Sequence, residues 1–212
     1  MLKTYSQTKQ DLFVSLITKG KKNGYFLEIG TNHPIDNNNT YKLENELNWT
    51  GIMIEYLPDF EELYKIHRNK SNYYINDARN VNYSDILEKN NFPMNIDYLQ
   101  IDLDVDNKST LDTLLLLDSS VFDKYKFATI TFEHDIYCGD FFNTQKLSRE
   151  IFRKRGYELV FPDVSILIGD SYKPYEDWYV HPDLVDINLI HKIKTEESLN
   201  SNQIIDLIVD NL

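Results

Sequence analysis

The chain has 212 residues, 42% hydrophobic and 13% aromatic, enough for one sizeable core and, at this length, for a single domain over 1–212. Its formal net charge is -12, and its basic clusters are short: Lys19, Lys21 and Lys22, then Arg149, Arg153, Lys154 and Arg155. This argues against nucleic acid as a partner and against docking on anionic lipid, both of which need clustered Lys and Arg. The single cysteine, Cys138, excludes an internal disulfide framework or a cysteine-based zinc site. No apolar run approaches the ~20 residues of a membrane span, so a soluble cytoplasmic protein with no membrane insertion is expected.

In chain order, a lead-in over 1–24 carries a helix from near Ser6, with Leu12, Phe13, Leu16 and Ile17 on its apolar face, and the turn KGKKNG ends it. A buried strand over 25–29 runs into Gly30. After the loop HPIDNNN, which reads as plain surface, Thr40 caps a helix reaching Trp49, and Gly51 opens a second strand, GIMIEYL. A polar helix over 58–69, a third strand NYYIND, a helix over 84–89 and a fourth strand over 96–104 follow. A helix over 109–117 precedes a fifth strand, FATITFEHD, and 143–155 reads as another helix. Residues 157–161 and 164–168 read as strands six and seven. Residues 170–212 are expected to form an aromatic loop, SYKPYEDWYVHPDLV, and an amphipathic terminal helix suited to packing or to a homodimer contact.

Strands alternating with helices, and apolar almost throughout, predict an α/β, doubly wound Rossmann-like fold. Its sheet would be mostly parallel, of about seven strands, with helices on both faces. Such sheets bind ligands outside the carboxyl ends of their strands. Those ends are acidic: Glu28 just before Gly30, Glu55, Asp77, Asp102 and Asp104, then Glu133, His134 and Asp135. Carboxylates gathered on one rim repel each other unless a ligand offsets them, and a pyrophosphate would be a poor guest. A ligand with hydroxyls, an amine and a positive centre fits better, as in S-adenosylmethionine.

The stretches SQTKQDLFVSLI, GYFLEIGTN and NNNTYKLENELNWTGIMIEYLPDF resemble the amino half of the FkbM-type methyltransferases, a branch of the class I S-adenosylmethionine-dependent enzymes. The resemblance is close over 6–60; beyond it NIDYLQIDLDVDN resembles the family's Ile-Asp-Tyr-Leu-x-x-Asp segment, and TFEHD, RGYELV and DVSILI are looser echoes. It implies S-adenosyl-L-methionine as cofactor. Gly30 would let the chain turn closely past the ligand, and Glu28 would bind the methionyl amine directly or through water. Glu55 would take the ribose hydroxyls, and Asp77 would face the adenine amino group with the Ala78 N–H on the ring. Thr31, Asn32, Tyr56 and Asp102 complete the expected cofactor contacts. His33-Pro34 departs from the family's small residues and puts the path of that loop in question.

Methyl transfer to an alcohol needs an aligned nucleophile and a base working near neutral pH. His134 is the first choice for that base and Asp104 the second. A Mg²⁺ ion on Asp102, Asp104 and Glu133 is the alternative, since it would lower the pKa of a bound sugar hydroxyl. Tyr137, Trp178 and His181 are expected at the acceptor, a small molecule or glycan, because sugars present apolar ring faces edged by hydroxyls. Two other readings stand beside this one. An NAD-linked oxidoreductase would also use Glu55 for ribose, against the missing second and third glycines; a catalytically degenerate domain would serve as a partner-binding module in glycan assembly.

Overall fold

The computed structural model describes residues 2–212. Seven strands form one sheet: β1 (Tyr25–Ile29), β2 (Thr50–Glu55), β3 (Asn72–Ile75), β4 (Asn95–Ile101), β5 (Lys126–Glu133), β6 (Glu158–Ile168) and β7 (Ser171–Val180). Their order is β3-β2-β1-β4-β5-β7-β6. β1 to β5 run parallel, and β7 is antiparallel to both β5 and β6. The chain winds outward from β1 to β3, then crosses back to place β4 on the other side of β1. This reversal opens a crevice beyond the carboxyl ends of β1 and β4.

Helices α1 (Gln10–Ile17), α2 (Tyr41–Leu47), α3 (Glu61–His67), α4 (Tyr83–Lys89), α5 (Ser109–Ser120), α6 (Phe142–Lys154), α7 (Ile187–Ile193) and α8 (Ser201–Val209) divide between the two faces. On one face Phe26, Met53, Tyr98, Trp178 and Val180 meet α1, α2, α3, α7 and α8. On the other Leu27, Ile52, Leu99, Ile130 and Tyr179 meet α4, α5 and α6. Successive residues of a strand point to opposite faces, and both faces are covered. That is why the central strands read as continuous apolar runs rather than as alternation.

The structure departs from the sequence expectation at β6, at β7 and at the start of α1. Residues 157–161 and 164–168 are not two strands; they belong to the single strand β6, whose pairing shifts register between Leu159 and Ser165. Asp163, at φ +52, is the irregularity that looks like a turn in the sequence. The seventh strand lies instead in the segment expected to be an aromatic loop. In β7, Glu176, Trp178 and Val180 face one side and Tyr175, Asp177 and Tyr179 the other, so the aromatic richness is that of a buried strand. Finally, α1 starts at Gln10 rather than near Ser6, because Lys9 adopts φ +63 and the Ser6 Oγ already accepts from the Asp11 N–H at 2.9 Å.

The terminal helix α8 opens with a capping box between Asn200 and Gln203. Its Ile204, Ile205 and Ile208 are buried within the chain's own core. Among the described residues no helix is long and apolar enough to cross a membrane.

Candidate functional site

Gly30 ends β1 at φ +87, and a Cβ built there would stand 1.7 Å from the Asp102 carbonyl oxygen. Only glycine permits both the left-handed backbone and this approach between the ends of β1 and β4. The Gly30 N–H donates to the Ile54 carbonyl at 2.9 Å and the Asp102 N–H to the Ile29 carbonyl at 3.0 Å, so the turn stays stitched to both neighbouring strands. Beyond it Asn32 also has positive φ, and the His33 Nδ1 accepts from the Asp36 N–H at 2.9 Å. The departure at His33-Pro34 therefore folds into a self-bonded turn, with the imidazole packed edge-on against Phe60.

Glu28 lies behind this turn, 1% exposed, rather than on a cleft wall. The Thr40 hydroxyl donates to it at 2.8 Å and the Arg68 guanidinium stands 3.9 Å away. Burial raises its pKa to about 7 against the pull of Arg68. Arg68, fully buried, also donates to Glu44 at 2.9 Å, to Thr40 at 2.6 Å and to Asn38 at 3.1 Å. The loop expected to be plain surface is thus part of this network: Asn38 is buried, and its side-chain oxygen takes the Tyr41 N–H at 2.7 Å, the capping role expected of Thr40.

In front of the turn is a cleft of about 620 Å³. It is lined by Gly30, Thr31, Asn32, Glu55, Tyr56, Asp77, Ala78 and Asp102, eight of the nine residues expected to bind cofactor, and by Asp104. Glu55 accepts from the N–H groups of Asn32 at 2.7 Å, Tyr56 at 2.9 Å and Leu57 at 3.0 Å, which hold its carboxylate at the mouth of the β1 turn. Asp77 is gripped by Arg79 in a fork, with Nη2 to Oδ2 at 2.7 Å and Nε to Oδ1 at 2.9 Å, and this partner holds its pKa below the ordinary carboxylate value. The Tyr64 hydroxyl donates to the Asn32 carbonyl and pins the loop from beneath.

Past the Asp102 end of the cleft lies an acidic group. Asp102 has its pKa raised well above normal by burial and by the nearby Glu176 and Asp135. Glu176 is raised to about 7 by burial, although the Thr8 hydroxyl and the Gln10 amide donate to it at 2.6 and 2.9 Å. Asp135, at φ +48, is raised to about 6, first by burial and then by Asp104, with His134 opposing. Tyr137 is half-buried beside Asp102 and Asp135. Asp135 follows the end of β5, and Glu176 reaches this group because β7 runs back along β5 and sets it opposite Glu133. The sequence shows the acids but not this reversal.

Three residues expected at the chemistry lie elsewhere. His134 is fully buried, with Nε2 3.4 Å from Asp163 and 3.6 Å from Asp177, and it is not among the residues lining the cleft. Burial opposes its charge, but the two carboxylates outweigh burial and raise its pKa. Arg149 completes the group, donating to Asp177 at 2.7 Å. Trp178 stacks on Phe13 with ring centroids 4.6 Å apart, leaving no face for a ligand. His181 follows the end of β7, where its N–H bonds the Ala128 carbonyl near the start of β5, the rim opposite the cleft. As for a metal, Asp104 is exposed while Glu133 is buried. Among the described residues the trio with ligand atoms within 4.8 Å of one another is His134, Asp163 and Asp177, not Asp102, Asp104 and Glu133.

No family model matches the chain, and no curated protein matches it. Among solved structures, TrmK from M. capricolum in complex with S-adenosyl-homocysteine is similar with a TM-score of 0.51 and 14% identity over 94% of this chain and 81% of that one. A TehB-like SAM-dependent methyltransferase from Corynebacterium glutamicum gives 0.49 and 11% over 81% and 87%. TYW2 from M. jannaschii, in complex with AdoMet, gives 0.46 and 14% over 85% and 78%. The likeness to TrmK is one of architecture: this chain has the Rossmann-like class I methyltransferase fold.

Proposed function

We propose that the chain binds S-adenosylmethionine in the 620 Å³ cleft and transfers its methyl group to a hydroxyl, the acceptor being a sugar or glycan. The observation that carries the reading is the convergence of Gly30, Glu55, Asp77 and Asp102 on one cleft at the switch point. Its volume falls within the roughly 300–1,000 Å³ of ordinary small-molecule sites. The resemblance of 6–60 to FkbM-type enzymes supports the sugar.

The cofactor supplies an electrophilic sulfonium methyl group; the chain binds, orients and removes a proton. Glu55, already aimed by three backbone amides, accepts the ribose hydroxyls. Asp77 and the Ala78 N–H take the adenine edge, with Arg79 sharing the carboxylate. Glu28, set back behind Gly30, reaches the methionyl amine through water. Asp104, which lines the cleft beside Asp102, is the proton acceptor. His134 is a positioning residue, holding the end of β5 to β6 and β7. A nicotinamide dinucleotide suits the cleft poorly, since Asn32, His33 and Pro34 stand where a pyrophosphate needs glycine backbone.

Calorimetric titration with S-adenosylhomocysteine tests the reading. The parent binds, and Glu55→Ala weakens binding by at least about tenfold, the worth of one charge-assisted hydrogen bond. No heat at high micromolar ligand, with Glu55→Ala indistinguishable from the parent, removes the proposal.

A further inference from the structure

The acid end holds more negative charge than a methyl donor offsets. S-adenosylmethionine brings an ammonium and a sulfonium but also a carboxylate, a net single positive charge. Among the residues lining the cleft the one cation is Arg79, already forked onto Asp77 at the opposite end.

Glu133 adds an independent observation. Ile130 and Phe132 pack in the core against α4, α5 and α6, so Glu133 projects from the other face of β5. It is level there with Glu176, its cross-strand partner, and with Asp102, one position past the paired Ile101 and Phe132. Only 8% of Glu133 is exposed, and its Oε2 has no hydrogen-bond partner. The Asp135 Oδ1, also buried, has none either. Two carboxylate oxygens withheld from water without donors are costly unless a ligand supplies the donors.

The spacing separates two kinds of guest. A Mg²⁺ site with three protein ligands needs oxygens about 2.1 Å from one centre, hence within about 4.2 Å of each other. The acids at this end do not form such a trio. An ammonium takes its acceptors at about 2.8 Å and tolerates a wider spread.

We propose that the acceptor carries a protonated amine beside the hydroxyl it offers, as an amino sugar does, and that Glu133 and Asp135 receive it. This rests on the methyltransferase reading, so the experiment runs in two stages. S-adenosylhomocysteine is first titrated to saturation; if it does not bind, the reading itself falls. To the saturated protein, glucosamine and N-acetylglucosamine are added separately, under conditions where glucosamine is protonated, and binding is followed by NMR chemical shift. Glucosamine binds about tenfold more tightly than its neutral counterpart, the ratio expected of one charge-assisted contact, and Glu133→Gln abolishes the preference. Should Glu133→Gln fail to fold, Asp135→Asn, on a half-buried turn, makes the same measurement. Equal affinities, silence from both sugars, or displacement of glucosamine by MgCl₂ overturns the amine and leaves cofactor binding standing.

Discussion

Replacing Gly30 by alanine tests the turn on which the cleft is built. The added Cβ would stand 1.7 Å from the Asp102 carbonyl oxygen, about half an ordinary contact distance, so the ends of β1 and β4 must part by more than an ångström. Two ladder bonds are at stake, Gly30 to Ile54 at 2.9 Å and Asp102 to Ile29 at 3.0 Å, at about 1 kcal/mol each. The left-handed φ of +87 adds a further cost of about 1–2 kcal/mol for a residue with a side chain. Gly30→Ala is therefore expected to lose roughly 3–4 kcal/mol in urea unfolding and to bind S-adenosylhomocysteine far more weakly. Gly20 is the internal control: it too has positive φ, +66, but a Cβ there meets nothing within 4 Å. Gly20→Ala should show only the backbone penalty. If the two variants unfold alike and both keep the ligand, the close approach of β1 to β4 does not govern the site.

Arg68→Met leaves Glu28 and Glu44 buried without their common cation and is expected to cost about 3–5 kcal/mol; adding Glu28→Gln should recover part of it, and a neutral single mutant would contradict the network. Burial raises Glu28 and Glu176 to about 7 in the folded protein, above the 4.5 of an ordinary glutamate. A raised folded pKa contributes stability that is complete below about pH 4.5 and is lost as the pH rises through about 7. Unfolding in urea at about pH 5 and about pH 8 should differ by up to about 3 kcal/mol per group, with Glu176→Gln narrowing the difference; a protein more stable at the higher pH refutes the assignment. His134→Gln should lower the urea midpoint while leaving S-adenosylhomocysteine affinity unchanged; a weakened affinity would put His134 at the cleft after all.

The parallel half of the fold is legible because β1, β2, β4 and β5 are buried on both faces and end in acids, which fixes both their existence and the rim on which a site forms. What the sequence hides is direction. Trp178 and His181 look like acceptor residues until β7 is seen to run antiparallel, which carries His181 to the opposite rim and buries Trp178 against Phe13. The same reversal brings Glu176 opposite Glu133, an acid pair that no spacing along the chain announces. Arg68 was hidden for a different reason: a lone cation after a polar helix reads as solvated, and only the return of the loop at Asn38 and Thr40 encloses it. His134 sits at the expected strand end, but Asp163 reaches it through the irregularity in β6, and a bulge at Pro162-Asp163 resembles a turn when read as sequence alone.

A crystal structure with S-adenosylhomocysteine tests the central claim most directly. The account predicts density in the cleft in front of Gly30, with both ribose hydroxyls on Glu55, the adenine edge at Asp77 and Ala78, and the sulfur toward Asp102 and Asp104. Ligand bound in the open groove beside Arg149, Arg153 and Lys194 instead, or no ligand in a well-formed crystal, would contradict it.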